Sequence, residues 1–226
     1  MVAPAIETHE LAKTYGKDVR ALADLDLRVE RGEVFGYLGP NGAGKSATIR
    51  LLLDLIRPTA GHVSVLGLDV RRDGVEARRH IGYLPGDLRL YDRMTAREQL
   101  DSLARLRGGV DAGLRDRLCE RFAVVLDRPI RQLSKGNRQK IGVVQAFMHR
   151  PELVILDEPT SGLDPLLQAE FRSLLRETAA EGGRSSSART RSTRCSTSPT
   201  GSGSSAPAGS STWTPLSGCA SARCGT

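Results

Sequence analysis

Residues that could bind phosphate stand together in one glycine-rich stretch of the sequence. Gly39-Pro-Asn-Gly-Ala-Gly44-Lys45-Ser46 matches the pattern G-x-x-x-x-G-K-[ST], between a predicted strand and a predicted helix. Backbone N–H groups of such a loop curve around phosphate oxygens, and the helix N-terminus adds its positive dipole end. The pattern predicts a nucleoside triphosphate site in which Lys45 contacts the β- and γ-phosphates and Ser46 ligates Mg²⁺. The residues assigned to this loop are Gly39, Asn41, Gly42, Gly44, Lys45, Ser46 and Ala47.

Two acidic residues, Asp157 and Glu158, directly follow the apolar run 153–156. A continuous apolar run of this length is typical of a strand buried in a parallel sheet. An acid after such a strand lies at the sheet edge where phosphates bind in α/β folds. We therefore expect Asp157 to hold Mg²⁺ and Glu158 to act as the general base that polarises the attacking water.

The elements that must position these residues indicate an α/β fold. Residues 25–29 alternate between apolar and polar, as in a half-buried strand, and residues 61–67 indicate another strand. Residues 33–38 form a short apolar run before the phosphate loop, and the apolar spacing of residues 45–56 predicts a helix after it.

Further helices are expected downstream, beginning with two that precede residue 130 and ending with one after residue 164. Thr95 and Glu98 form a capping box for the first. Asp164 is expected to cap the last, with Pro165 at its first position and its end near Gly182. The apolar residues expected on the first two helices are Leu100, Leu103 and Leu106, then Leu114, Leu118 and Phe122.

The segment Leu133-Ser134-Lys135-Gly136-Asn137 resembles the signature L-S-G-G-Q of the ATP-binding subunits of ATP-binding cassette (ABC) transporters. It precedes an apolar helix and Ser134 stands 23 residues ahead of Asp157, as in that family, although Lys135 and Asn137 are variants. In the family, the signature of one subunit closes over the ATP held by the other. The resemblance therefore implies that Ser134 and the Gly136 backbone contact the γ-phosphate in trans.

Other stretches support the same resemblance, which covers residues 5–183. Tyr15 falls where the family stacks an aromatic ring on adenine. Residues 161–164 are similar to the loop that links the two ATP sites of the dimer, and residues 81–85 to the segment before the glutamine loop. Gly86 and Asp87 stand where the family has glutamine, so Asp87 is expected as a shorter, charged substitute.

The resemblance implies an ABC-type P-loop NTPase fold with an N-terminal antiparallel β portion and an α-helical subdomain at residues 88–140. It also implies ATP hydrolysis with ATP and Mg²⁺, two copies sandwiching two ATP molecules, and export of a solute through a separate multi-span permease. Such a subunit is cytoplasmic and peripheral on the inner face of the cell membrane. A non-transport ABC ATPase acting on nucleic acid or ribosomes is an alternative, although the tandem cassettes or coiled-coil insertions usual in that class are not visible here.

The charge, the apolar content and the cysteines of the chain limit the classes of function that fit the sequence. The chain has 226 residues and a net charge of +7. Residues 184–226 carry +5 of this charge and no acid, so the basic balance does not indicate nucleic acid as a partner. With 39% hydrophobic residues and no apolar run near the ~18 residues of a membrane span, we expect a soluble chain. We see no secretory signal, and four cysteines without metal-like spacing favour a reducing compartment.

Residues 184–226 differ from the rest in composition. They include 13 Ser and 7 Thr, and a single leucine, Leu216, stands where apolar strands are expected. Such a segment cannot bury enough apolar surface to order itself, so we expect a disordered, low-complexity tail after an ABC domain at 1–183. The histidine that the family places after the helix ending near residue 182 is missing. A third hypothesis is therefore a truncated or frameshifted cassette that binds ATP with little turnover.

We predict that residues 184–226 are the product of a reading-frame shift. Serine codons of the TCN type, read one base earlier, have T in the middle and encode apolar residues, which would restore the strands and the histidine. Reading the gene around codon 184 tests this hypothesis. Stop codons in the neighbouring frame, or no segment of that kind, would leave a genuine low-complexity linker instead.

Overall fold

The computed structural model describes residues 2–16, 19–33, 35 and 44–183. The chain divides into two units. Unit 1 comprises residues 1–77 and those from 178 onward, and unit 2 comprises residues 78–177. Residues 34 and 36–38 of the predicted strand before the phosphate loop, and the predicted disordered tail, lie outside the described residues.

Unit 1 contains a four-stranded antiparallel sheet with the order β2-β1-β3-β4. Its strands are β1 (Ile6–Tyr15), β2 (Val19–Val29), β3 (Ala60–Val65) and β4 (Leu68–Asp69). Leu25, Leu27 and Val29 are buried while the residues between them are more exposed. This confirms the alternation predicted for residues 25–29, and β3 confirms the strand predicted at 61–67. Two helices accompany the sheet, α1 (Lys45–Leu52) and α2 (Val70–Arg79), whose last two residues belong to unit 2. Helix α1 contacts β2 and β3.

The helix α1 is shorter than its sequence predicts. Apolar spacing indicates a helix to Ile56, but α1 ends at Leu52. Asp54 takes a left-handed φ of 56°, which aspartate tolerates better than most residues. The chain turns there, and the N–H of Leu55 donates to the carbonyl of Arg50 at 2.8 Å. The prediction was wrong at this end because side-chain spacing does not register a backbone turn.

Unit 2 is built on one parallel pair of strands and a set of helices. The strands β5 (Ile81–Leu84) and β6 (Leu153–Leu156) pair in register from Ile81 with Leu153 to Leu84 with Leu156. The parallel strand predicted at 153–156 is thus confirmed. The helices are α3 (Ala96–Leu106), α4 (Ala112–Arg121), α5 (Lys135–Phe147) and α6 (Pro165–Gly183), with a short 3-10 helix at Ile130–Gln132. The last residues of α6, from Thr178, belong to unit 1.

The capping box predicted for α3 is confirmed. The N–H of Glu98 donates to the Thr95 hydroxyl at 3.2 Å, and the N–H of Thr95 donates to the Glu98 carboxylate at 2.8 Å. Leu100 is buried, but Leu106 is 80% exposed. Leu106 follows Leu100 by six residues, which is about one and two-thirds turns of helix, so its side chain points away from the buried face. Ala104 lies on that face instead.

The core of unit 2 includes the apolar stripe predicted for α4. Leu118 and Phe122 are buried and Leu114 packs against them. Cys119 on the same helix is a free, buried cysteine, and burial raises the pKa of its thiol.

A network of ion pairs joins α4 to α6. Arg121 donates to the Glu170 carboxylate at 3.0 Å and to both Glu177 oxygens at 2.6 and 2.8 Å. The Ser173 hydroxyl also donates to Glu177 at 2.9 Å. Hydrogen bonds from Arg121 and Ser173 lower the pKa of Glu177 to about 2. This two-point contact is the geometry that a planar guanidinium favours.

Within the described residues, none of the helices combines the length and the apolar character needed to cross a lipid bilayer.

We predict that Glu177→Gln destabilises unit 2 at neutral pH and that this loss shrinks in acid. The pKa of Glu177 is depressed in the folded state, so its contribution is present above the unfolded value of about 4.3 and is lost as pH falls toward about 2. Because the side chain is about half exposed, the loss at pH 7 should stay below about 1 kcal/mol. Urea unfolding at pH 7 and pH 3 measures it, with Glu120→Gln as the matched control. An equal effect of Glu177→Gln at both pH values would contradict this prediction.

Candidate nucleotide site

The described part of the phosphate loop is Gly44 and the first turn of α1. Gly44 has a φ of 77°, and a Cβ at this position would lie 2.6 Å from the Ala21 carbonyl oxygen, so the backbone there requires glycine. Lys45, Ser46 and Ala47 form the first turn, where backbone N–H groups lack acceptors within a helix. This turn contains no acidic residue, so the dipole end attracts an anion. The predicted loop residues Gly39, Asn41 and Gly42 lie outside the described residues.

Tyr15 is the last residue of β1, and 40% of it is exposed. The Lys13 ammonium lies 5.1 Å from the centroid of the Tyr15 ring, a distance at which a cation is attracted to the face of an aromatic ring. A partly exposed ring on a strand can also stack on a flat base. Stacking of Tyr15 on adenine stays a prediction.

Asp157 and Glu158 follow β6 directly. The N–H of Asp157 donates to the carbonyl of Leu84 at 2.9 Å, so the ladder of β5 and β6 extends one residue beyond the strands. Glu158 is exposed and has a left-handed φ of 48°. A glutamate in this conformation carries backbone strain, which is common at functional sites. The backbone thus begins to turn at the predicted base, directly after the predicted metal ligand.

Gly86, which stands where the family has its glutamine, lies beside Asp157. A Cβ at Gly86 would lie 3.3 Å from the Asp157 carboxylate, so position 86 faces this acid. Asp87 is exposed, and its carboxylate accepts a hydrogen bond from Arg89 at 3.1 Å. The expected substitution of Asp87 for glutamine remains untested, but the structure gives Asp87 a cationic partner of its own.

The signature segment begins α5. The hydroxyl of Ser134 accepts a hydrogen bond from the N–H of Asn137 at 3.3 Å, which confirms Ser134 as an N-cap. At Gly136 a Cβ would lie 2.6 Å from the Gly162 carbonyl oxygen. A side chain at this position would therefore displace the loop that follows Glu158. Contacts of Ser134 and Gly136 with a nucleotide in trans stay predictions.

One residue of this region was missed by sequence reasoning. Gln139 is only 4% exposed, and its amide donates to the carbonyl of Pro159 at 3.1 Å. The signal was a polar side chain one turn before Val143 on the buried face of α5, because a buried glutamine needs a partner.

The predicted site residues thus fall into two groups. Tyr15 and Gly44–Ala47 belong to unit 1. Asp157, Glu158 and the signature segment belong to unit 2, where Gly136 and the loop after Glu158 come into contact.

Comparison with known proteins places these motifs in a family. The family described as "ABC transporter" matches residues 22–161. NatA of Bacillus subtilis, an ABC transporter ATP-binding protein, is 38% identical over 73% of this chain and 70% of NatA. YbhF of Escherichia coli, a probable multidrug ABC transporter ATP-binding protein, is 38% identical over 74% of this chain but only 29% of YbhF. The daunorubicin resistance ATP-binding protein DrrA3 of Streptomyces coeruleorubidus is 41% identical over 80% of this chain and 59% of DrrA3.

Solved structures show the same fold. The structure of an ATP-binding subunit of an ABC transporter is 33% identical, with a TM-score of 0.71 over 79% of this chain and 76% of the other. A bacterial ABC transporter cassette is 24% identical, with a TM-score of 0.69 over 79% of this chain and 84% of the other, and this likeness concerns the fold alone. Together with the family match over more than half of the sequence, these similarities show that the chain belongs to the ABC transporter family and has the fold of its ATP-binding cassettes.

Proposed function

We propose that this chain binds ATP and Mg²⁺ and hydrolyses the γ-phosphate, as the ATP-binding subunit of a transporter. The observation that carries the proposal is the geometry after β6, where Asp157 extends the parallel ladder and Glu158 begins a strained turn. The domain we assign to this activity spans residues 1–183, with the helical subdomain at 88–140.

The roles of the residues follow from their chemistry. The N–H groups at the start of α1 and the Lys45 ammonium bind the phosphates, and Gly44 keeps the backbone close enough for this contact. Tyr15 stacks on the adenine ring. Glu158 accepts a proton from the attacking water and orients it toward the γ-phosphate.

The residues present also fit Mg²⁺. The Ser46 hydroxyl and the Asp157 carboxylate supply oxygen donors, which this ion prefers. Gly86 adds no side chain beside the Asp157 carboxylate, from which a Cβ at position 86 would lie 3.3 Å. The bound ion supplies positive charge to the phosphate oxygens in the transition state.

The wider role rests on similarity. NatA, YbhF and DrrA3 are ATP-binding proteins, two of them named for multidrug transport or drug resistance. We propose that a homodimer of this chain, with Ser134 and Gly136 closing over the partner's nucleotide, powers export through a separate membrane permease. Its place would be the inner face of the cell membrane. This chain spans 29% of YbhF and 59% of DrrA3, so the substrates of those proteins are not assigned to it.

A second candidate is a cassette that binds ATP with little turnover. The observation that favours it is the distribution of histidines. The sequence contains only His9, His62, His80 and His149, and all of them precede β6. The family resemblance places a histidine after α6, and none of these four follows it, so in this candidate Glu158 positions the water without that histidine. In that case binding would persist while the rate falls.

We predict that Glu158→Gln retains binding of Mg-ATP and lowers turnover at least about 100-fold, because the amide cannot accept the proton. Calorimetry measures the binding and phosphate release measures the turnover. Glu120→Gln, an exposed glutamate on α4, is the matched control and should behave as wild type. Equal turnover in wild type and Glu158→Gln would contradict the role of Glu158, whereas binding without turnover in wild type would favour the second candidate.

We also predict that Lys45→Ala weakens binding of Mg-ATP by more than about tenfold, since it removes a cation from the phosphates. The same calorimetric titration measures this change. Lys140→Ala, which removes a cation from α5, should leave the affinity within about twofold. Unchanged affinity in Lys45→Ala would contradict the proposed phosphate site.

A further inference from the structure

The turn that begins at Glu158 is held against α5 by contacts inside unit 2. Two of these are described above: Gln139 donates to the Pro159 carbonyl, and Gly136 packs against the Gly162 carbonyl. Both use backbone atoms of the turn, so they fix the path of the chain. A third contact involves a side chain of the turn, the hydroxyl of Ser161.

Lys135 makes this third contact. Its ammonium donates to the Ser161 hydroxyl at 3.0 Å, across 26 residues of sequence. A Cβ at Gly162 would lie 3.4 Å from the Lys135 Cγ, so the aliphatic part of the lysine runs along the turn. Lys135 therefore lies against both Ser161 and Gly162.

The location of Lys135 is unfavourable for helix stability alone. It is the first residue of α5, where a cation meets the positive end of the helix dipole. The first turn contains no acid to compensate for it. A lysine at this position does not stabilise the helix. The favourable interaction that the structure shows for Lys135 is its hydrogen bond to Ser161.

The contact of Lys135 continues to Glu158 through the turn. The N–H of Ser161 donates to the Glu158 carbonyl at 3.1 Å, and the N–H of Leu163 donates to the Thr160 carbonyl at 3.1 Å. Glu158 itself is held at a φ of 48°. A residue in this sparsely populated conformation keeps it only while its surroundings enforce it. Ser161 therefore contacts Lys135 through its side chain and Glu158 through its backbone N–H.

We propose that Lys135 is a positioning residue for ATP hydrolysis: its contact with Ser161 links the signature segment to the turn of the same subunit and orients Glu158. This inference rests on the function proposed above. A displacement of the start of α5 moves Ser161 and changes the geometry of the base.

Direct contact of Lys135 with a phosphate is the competing role for a cation at this position. The two roles differ in what they alter. A phosphate contact strengthens binding of the nucleotide and acts independently of Ser161. A positioning contact acts on kcat, and its effect disappears when Ser161 has already lost its hydroxyl.

The experiment is a double-mutant cycle of Lys135→Met and Ser161→Ala in the full chain, read as kcat and KM for Mg-ATP. We expect each single variant to lower kcat about three- to tenfold with KM within about twofold, and the double variant to be no slower than the slower single variant. Lys135→Arg keeps a donor and should restore kcat to within about twofold of wild type. Lys140→Met removes a cation from the same helix and is the matched control, expected at the wild-type rate.

Hydrogen exchange separates failure of this inference from failure of the proposed function. The amides of Ser161 and Leu163 should exchange several-fold faster in Lys135→Met than in wild type or Lys140→Met, whether or not the chain hydrolyses ATP. Absent ATPase activity with faster exchange would overturn the proposed function and the positioning role of Lys135 in hydrolysis, while supporting the link between Lys135 and the turn. Additive losses of kcat, a raised KM with unchanged kcat, or unchanged exchange at these amides would overturn the inference.

Discussion

The parallel pairing of β5 with β6 is the constraint on which unit 2 depends. Parallel strands end at the same edge of a sheet, and the N–H of Asp157 donates to the Leu84 carbonyl just beyond that edge. This hydrogen bond fixes the backbone of Asp157 beside Leu84, two residues before Gly86. The Asp157 carboxylate lies beside position 86. The turn at Glu158 and the start of α6 follow within a few residues. A shift in the register of β6 would move each of them together.

The helix α5 completes this arrangement from the other side. It packs against β5, and its first turns contact the segment after Glu158 through Gly136 and Gln139. A strand thus supports one end of the turn and a helix supports its middle. Ser134 caps the same helix, so the residue expected to meet a partner's nucleotide and the residue expected to activate water share one supporting element.

Local sequence signals predicted much of this structure, and long-range contacts set the rest. The caps at Thr95 and Ser134 each depend on neighbours within a few residues, and each was predicted. The apolar run 153–156 predicted a parallel strand, which is confirmed, although only Ile155 of it is buried. The early end of α1 and the exposure of Leu106 were not, since both depend on turns and packing that spacing does not encode. The contact of Gln139 with Pro159 joins residues 20 apart in sequence, and the left-handed conformation of Glu158 has no signal in its neighbouring residues. The assigned catalytic and binding roles remain predictions.

The ion pairs of Arg121 also bear on the order in which unit 2 can assemble during synthesis. Glu170 and Glu177 follow Arg121 by 49 and 56 residues. At about 5–20 residues per second, a ribosome needs roughly 3–11 s to make the chain between Arg121 and Glu177. During that interval α4 lacks these partners on α6. Among the described elements of unit 2, α6 is therefore the last to be synthesised.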